Sequence, residues 1–349
     1  MVTITNLFKI FGPKSPSLIK EVKAGMTKQE LLDKHNHVLG LNNINLSFHE
    51  KSIEVVMGLS GSGKSTLIRH VNRLLEPTHG EISIDGENIL EVNKAQLRSL
   101  RQSKISMVFQ KFALLPHRTI FENITFGLEI QGGKASEFNE KAHFWLERVG
   151  LKGFEDNTPK QLSGGMQQRV GLARALATDA KILLMDEAFS ALDPLIRTEM
   201  QDMLLGLQQE FEKTIIFITH DLDEALKIGD RIAILNEGNL IQQGESHSIL
   251  INPEDDYVQK FVANVNRAKV LKVKSIMTKL NGSQINTGDS PMTVNSSDTA
   301  EDVLNTVVLR NPSFIWVEDN SGKQIGYLKR ADLAETIGRD KKFDNLPDN

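Results

Sequence analysis

Ile53-Glu54-Val55-Val56-Met57-Gly58-Leu59-Ser60-Gly61-Ser62-Gly63-Lys64-Ser65-Thr66 is the stretch on which the fold of this 349-residue chain turns. Ile53–Met57 is a strand-length apolar run, and Gly58 onward matches G-x-x-x-x-G-K-S. A helix is expected over Ser65–Leu75, which completes the strand–turn–helix setting that a phosphate-binding loop requires. Gly58, Gly61 and Gly63, with Ser60 and Ser62 among them, let the backbone curl until successive N–H groups converge on one anion. The positive N-terminal end of the helix points at the same place. In such a loop Lys64 contacts the β- and γ-phosphates of a nucleotide, and the hydroxyl of Ser65, followed by Thr66, ligates Mg2+.

Further strand-length runs lie at Ile105–Phe109, Lys181–Met185 and Thr214–Thr219, and helical, polar patterns at Asn93–Ser103 and Lys134–Val149. Alternating strands and helices favour an α/β core with mostly parallel strands. Ile232–Leu235 and Leu240–Gln243 flank Asn236-Glu237-Gly238-Asn239, a hairpin signal. Ile182-Leu183-Leu184-Met185-Asp186-Glu187 ends in two adjacent acids that core packing has no use for. A carboxylate at the C-terminal end of a parallel strand faces the crevice where nucleotides bind. Asp186 is therefore expected to hold Mg2+ through water, and Glu187 to orient or deprotonate an attacking water.

Outside this frame, Thr3 to Lys9 reads as an opening strand. Residues 14–39 form a polar, charged insert with one short helical pattern, Lys28-Gln29-Glu30-Leu31-Leu32, and strand signals resume at Ile44–Phe48. Pro77, Gly80 and Gly86 punctuate a short hairpin around Glu81–Ile84. Composition shifts near residue 265, where Arg267, Lys269, Lys272, Lys274 and Lys279 make a basic stretch. A small domain follows, with helix Thr299–Val308, strand Phe314–Val317, turn Asp319–Gly322, strand Ile325–Leu328 and helix Ala331–Ile337. The expected division is 1–265 for a nucleotide-binding domain, 266–280 for a linker, 281–340 for a small α+β domain and 341–349 for a flexible tail.

Hydrophobic residues at 40% and charged residues at 25% are those of an ordinary globular protein. A net charge of −4 gives no electrostatic case for nucleic-acid binding. The absence of cysteine excludes disulfides and thiolate metal sites and suits a reducing compartment. The first ten residues lack a long apolar core and a small-residue cleavage site, so no signal peptide is expected. Apolar runs such as Ile215–Ile218 are far short of the roughly 20 residues that span a bilayer. Any work at a membrane then needs another chain for the spanning helices, with this one peripheral on the cytoplasmic face.

Leu162-Ser163-Gly164-Gly165-Met166-Gln167-Gln168-Arg169 lies between the glycine loop and the Asp186-Glu187 strand. The three motifs in this order resemble the ATP-binding cassette (ABC) ATPases. The resemblance implies a P-loop NTPase cassette with a RecA-like core, an antiparallel β subdomain and a helical signature subdomain, hydrolysing ATP. It implies that Gln110 is the Q-loop glutamine, touching Mg2+ or the water. His220 becomes the switch histidine, which contacts the γ-phosphate and positions Glu187. Ser163 and the N–H groups of Gly164 and Gly165 would cap the γ-phosphate bound to the opposite subunit. Ser190-Ala191-Leu192-Asp193 resembles the D-loop that links the two sites. One cassette per chain then implies a homodimer, most simply two-fold symmetric. The family stacks adenine on an aromatic residue just past the first strand: Phe11, with Phe8 second.

The spacing from Gln110 to Ser163 leaves room for a transporter's helical subdomain and not for the long coiled coil of DNA-repair relatives. Phe112–Ile120 resembles the surface that receives a coupling helix from an integral-membrane permease. The 14–39 insert, the glycine loop and Met107-Val108-Phe109-Gln110 with Phe112-Ala113-Leu114 resemble the glycine betaine/proline (osmoprotectant) importers, which take quaternary amines from an extracytoplasmic substrate-binding protein or domain. Asp298-Thr299-Ala300, Phe314-Ile315-Trp316-Val317-Glu318 and Gly326–Asp332 resemble a CBS module. Such modules come in pairs, which bind an adenine nucleotide or cyclic dinucleotide or respond to ionic strength. Here one copy stands out, with Val273–Thr278 as a remnant or lead-in. Either two subunits pair their single copies or ligand binding is lost. The lysines from Lys269 to Lys279 would sense salt at an anionic membrane surface or simply form a solvated linker. Methionine or another amino acid as cargo, and a regulatory module without transport, remain open.

Overall fold

A computed structural model describes residues 1–110, 113–132, 134–263, 265–280, 292–304, 312, 314–319, 321–329 and 333. Phe112, the loop at 281–284, the end of the helix expected over Thr299–Val308, all but Leu333 of the helix expected over Ala331–Ile337 and the tail from 341 lie outside them. The chain divides into two compact units, Met1–Gly244 and Glu245–Asn349.

The strands of the first unit are β1 (Val2–Phe11), β2 (Val38–Phe48), β3 (Ile53–Met57), β4 (His79–Ile84), β5 (Glu87–Asn88), β6 (Ile105–Val108), β7 (Ile182–Asp186), β8 (Thr214–Thr219), β9 (Arg231–Asn236) and β10 (Asn239–Glu245). Its helices are α1 (Ile19–Lys23), α2 (Lys28–His35), α3 (Lys64–Val71), α4 (Lys94–Ser103), α5 (Ile120–Gln131), α6 (Ala135–Arg148), α7 (Gly164–Ala177), α8 (Pro194–Phe211) and α9 (Leu222–Ile228). The central sheet has the order β10-β9-β3-β8-β7-β6. Its pairs β9–β3, β3–β8, β8–β7 and β7–β6 are parallel. Every residue of β3, β7 and β8 is buried, as expected of parallel strands covered on both faces. Parallel alignment also puts the C-terminal ends of β3, β6, β7 and β8 on one edge. The β9–β10 hairpin turns at Glu237 and Gly238, both with positive φ (47° and 85°), the signature of a type I′ turn.

The second sheet, β2-β1-β4-β5, is antiparallel. Val2, Ile4 and Leu7 of β1 join Leu46, Phe48, Ile82 and Ile84 in one core with Val56, Leu67, Ile68, Val71 and Ile218. At Asn6 (φ 48°) the β1–β2 register shifts, so β1 changes phase. Beyond that bulge Phe8 and Ile10 enter a separate cluster with Leu18, Val22, Leu31 and Leu39. The 14–39 insert is thus more ordered than its polar sequence suggests, with a 3-10 turn at Ser15–Leu18, α1 and α2 packing apolar residues under β1. A capping box starts α2: Thr27 Oγ1 accepts from Glu30 N at 3.2 Å, and the Glu30 carboxylate accepts from Thr27 N at 2.9 Å.

The second unit carries α10 (Ser246–Ile251), α11 (Asp256–Val262), α12 (Arg267–Val270) and α13 (Val273–Ile276). Its sheet has the order β11-β14-β13-β12, from β11 (Thr278–Lys279), β12 (Met292–Asn295), β13 (Phe314–Glu318) and β14 (Gln324–Lys329). β12 and β13 are parallel, while β13–β14 and β11–β14 are antiparallel. The stretch read as a linker, 266–280, therefore holds α12, α13 and a strand of this sheet. Val294, Ala300, Val303, Ile315, Val317, Leu328 and Leu333 are buried.

Candidate nucleotide site

The glycine loop leaves β3 and enters α3 as its sequence requires. At Gly58 (φ 148°) a β-carbon would stand 2.1 Å from the Leu235 carbonyl oxygen, so the loop passes against β9 too closely for any side chain. Gly63 caps α3 with φ 103°, and its β-carbon would meet the Gly40 carbonyl oxygen at 2.8 Å. These approaches fix a cradle whose N–H groups can point inward. Lys64 is buried, and its Nζ donates to the carbonyl oxygens of Gly58 (2.8 Å) and Leu59 (3.1 Å). Burial lowers its pKa, and the nearby carboxylates of Glu187 and Asp186 oppose that shift.

The acids at the end of β7 meet the loop from the other side. Ser65 Oγ donates to Asp186 Oδ1 at 2.8 Å, and Arg69 Nη2 lies 3.5 Å from Asp186 Oδ2. Glu187 sits in the left-handed region, φ 47°, a conformation that costs on the order of 1 kcal/mol and needs outside support. Its N–H donates to Ile218 O of β8 at 3.0 Å, and its carbonyl accepts from Ser190 Oγ at 2.9 Å. The turn aims its carboxylate at three groups from three elements. Gln110 Nε2 donates to Oε2 at 3.0 Å, while His220 Nδ1 and Lys64 Nζ lie 3.6 and 3.8 Å from Oε1. Among the described residues no group of three or more His, Cys, Asp or Glu is set to hold a metal alone. A hydroxyl and one carboxylate, Ser65 and Asp186, suit a Mg2+ that takes its other ligands from phosphate and water.

Ser163, Gly164, Gly165 and Asp193 form a second patch. Ser163 caps α7, its Oγ accepting from Met166 N at 3.3 Å, and Asp193 caps α8, its Oδ1 accepting from Ile196 N at 3.1 Å. A β-carbon on Gly165 would be 2.6 Å from Ile196 Cγ2, which is how closely the two helix starts pack. Among the described residues no hydrogen bond or ion pair joins Ser163, Gly164 or Gly165 to Lys64, Asp186, Glu187 or His220. Of the two candidate adenine rings, Phe8 is 4% exposed inside the insert cluster and Phe11 is 38% exposed. The Phe11 ring lies on Gly40, the residue whose carbonyl backs Gly63, with Lys9 Nζ 5.1 Å from the ring centroid.

Several contributors escaped the sequence reading. Arg69 stands one helical turn after Ser65, a spacing that could have announced a second cation on Asp186. Arg197, Gln201, Thr219, Asp221 and Glu224 support the His220 turn through contacts that no local pattern announces. The sequence patterns give no expectation for several helices, α5, α8 and α9 among them. α5 interleaves Glu122, Asn123, Thr125 and Glu129 with its apolar residues, so its apolar stripe is weak, although Thr119 and Glu122 make a capping box at its start.

The pattern of the ABC transporter family matches residues 41–190. The glycine betaine transport ATP-binding protein OpuAA of Bacillus subtilis is 54% identical over 287 residues, 82% of this chain and 69% of that protein. The trimethylamine N-oxide transport system ATP-binding protein TmoW of Pelagibacter ubique is 42% identical over 343 residues, 98% and 99% of the two chains. Among solved structures, a dimeric ATP-binding cassette in a post-hydrolysis state with ADP and Pi is 32% identical, with a TM-score of 0.60 over 70% of this chain and 99% of that one. With the glycine loop, the acid pair and the Ser163 turn in place on this fold, the chain belongs to the ABC transporter family, as one of its ATP-binding proteins.

Proposed function

We propose that this chain is the ATP-hydrolysing subunit that energises import of a glycine betaine- or proline-type quaternary amine through a membrane permease. The observation that carries the hydrolytic part is the Glu187 carboxylate, held between Gln110, His220 and Lys64 at the mouth of the phosphate loop. On binding ATP, Lys64 leaves the carbonyls of Gly58 and Leu59 for the β- and γ-phosphates, as the loop N–H groups close round them. Mg2+, held by Ser65 and Asp186 with Gln110 at its edge, would neutralise phosphate charge. Glu187 takes the proton of, or orients, the attacking water; His220 hydrogen-bonds the γ-phosphate and keeps Glu187 aimed. Phe11 stacks on adenine. Ser163 with the N–H groups of Gly164 and Gly165 caps the γ-phosphate of a second copy, and Asp193 links the two sites, so two chains make two composite sites. The dimeric solved relative supports that assembly.

No helix among the described residues is long and apolar enough to cross a membrane. In this reading the permease is another chain, with this one at its cytoplasmic face. A substrate-binding protein or domain outside the membrane delivers the cargo. Residues 281–340 form a single CBS-like regulatory module with an adenine nucleotide or cyclic dinucleotide as its ligand class; what supports this is that two of the stretches resembling it pair in one sheet, as β13 and β14. Trimethylamine N-oxide is the second cargo reading, favoured by the relative that aligns along 98% of this chain. Uptake of labelled glycine betaine at high salt, in cells carrying this chain or its Lys64→Ala or Glu187→Gln variant, tests the reading. Uptake in the first cells alone is the expected result. Equal uptake in all three, with the proteins expressed and no other importer present, removes that cargo, and the same assay with trimethylamine N-oxide decides the second reading.

A further inference from the structure

We propose that Arg197 is a positioning residue that ties the Leu192–Asp193 turn to the His220–Asp221 turn. The contact that Asp193 offers a second copy and the contact that His220 offers the phosphate are then set together. The inference rests on the roles just proposed for Asp193 and His220. Its basis is a closed ring of contacts. Arg197 Nη2 donates to Leu192 O and Nη1 to Asp221 Oδ2, each at 3.2 Å. Arg197 N donates to Asp193 O at 2.9 Å, so the first turn of α8 makes the Asp193 cap and the guanidinium one rigid piece. Asp221 is fixed on its side as well. Its N–H donates to Thr219 Oγ1 at 3.0 Å and its Oδ1 accepts from Glu224 N at 3.1 Å, which leaves Oδ2 for Arg197. The Thr219 hydroxyl donates to Glu224 Oε2 at 2.5 Å, and Gln201 Nε2 to Glu224 Oε1 at 3.2 Å. Gln201 lies one helical turn beyond Arg197, so α8 grips the same turn twice. The ring closes through Glu187, whose carbonyl accepts from Ser190 Oγ while its carboxylate faces His220.

Stability does not account for this arrangement. The side chains of Arg197 and Asp221 are 29% and 35% exposed, and ion pairs that wet contribute little. Arg197 Nε is buried without a hydrogen-bond partner among the described residues, a cost that a residue kept only for stability would not carry. A guanidinium spanning two turns instead makes any displacement of one turn a displacement of the other.

The test measures ATP hydrolysis against ATP concentration for the full chain and its Arg197→Met, Arg197→Lys, Asp221→Asn and Arg197→Met/Asp221→Asn variants. Arg197→Met is expected to lower kcat about tenfold or more, as losing an outer-shell partner does, with KM and Tm little changed and the Hill coefficient falling toward one. Arg197→Lys, which can reach one turn but not both, recovers part of kcat. Adding Asp221→Asn to Arg197→Met costs nothing further, because the two act as a unit. Wild-type kcat and Hill coefficient in Arg197→Met, or additive losses in the double variant, overturn the proposal. Should Arg197→Met fail to fold, Arg197→Lys and Asp221→Asn decide: reduced kcat at unchanged Tm supports the coupling, and wild-type kcat in both overturns it. His220→Ala and Glu187→Gln run alongside. Full turnover in those two sinks the reading of the site itself, whereas their loss beside an unimpaired Arg197→Met sinks the coupling alone.

Discussion

The turn around Lys64 and the turn around Ser163, the two halves of nucleotide recognition in the proposed assembly, are finished to different degrees. At the first, every charge is engaged within the chain: Lys64 on two carbonyls, Ser65 on Asp186, Gln110 on Glu187. At the second, a helix begins with exposed Ser163 and Gly164, and nothing lies within 4 Å of where a Gly164 β-carbon would be. A self-satisfied site has to be opened by its ligand, which favours an anion strong enough to outcompete backbone carbonyls for an ammonium. An open helix N-terminus has the reverse need, for an acceptor that its own chain does not bring to it.

The largest effect expected from this contrast is at Lys64. Lys64→Ala removes the buried side-chain cation of the cradle, and ATP turnover should fall about 100- to 1,000-fold, the usual consequence of deleting one preorganised donor at a phosphate. Turnover within a few-fold of wild type would mean that the loop backbone suffices. The contrast itself is broken or sharpened by mixing variants. Lys64→Ala and Ser163→Arg each disable one half, so each alone should be inactive. Mixed and allowed to exchange subunits, half of the dimers keep one site with an intact loop and an intact Ser163 turn, restoring roughly a quarter of wild-type hydrolysis for a two-fold assembly. Persistent inactivity of the mixture would place both halves in the service of the same chain.

A smaller effect belongs to Phe11. Phe11→Ala should raise KM for ATP about tenfold, the loss of one aromatic stack, with kcat little changed. Phe8→Ala should instead lower the melting temperature, because that ring fills the cluster under the insert. The reverse outcome would exchange the two roles.

Phe8 and Phe11 also show what the sequence could and could not disclose. The glycine loop and Asp186-Glu187 were legible because a few adjacent residues fix their geometry: a strand, a turn only glycine allows, a helix start. Which core Phe8 enters depends on the left-handed Asn6, which slips the phase of β1 so that Leu7 stays with Val2 and Ile4 in the main core while Phe8 joins the cluster under the insert. Nothing in the alternation of Thr3 to Lys9 announces that slip. The Arg197–Asp221 and Gln201–Glu224 contacts join residues 24 and 23 positions apart through tertiary packing, so they too had no local signature. Gln110 and His220 lay between these extremes. Their place after a strand was readable, whereas their convergence on Glu187 required the parallel order of β6, β7 and β8.

The subtlest expected effect tests whether the support behind His220 is held by a neutral or a charged group. Glu224 is buried between Thr219 and Gln201, and burial raises its pKa above the ordinary carboxylate value of 4.5, against the pull of its hydrogen bonds. A carboxyl whose folded pKa lies above its unfolded one favours the folded state most when protonated. That contribution is complete below pH 4.5 and is lost as pH rises through the folded value. Glu224→Gln keeps an oxygen for the Thr219 hydroxyl and never ionises. Relative to wild type, its melting temperature should therefore climb as pH rises from about 4.5 to 7, by about 2–4 °C for a difference near 1 kcal/mol. A difference independent of pH would show that Glu224 is ionised at neither end of that range or at both, and that hydrogen bonding alone sets the His220 turn.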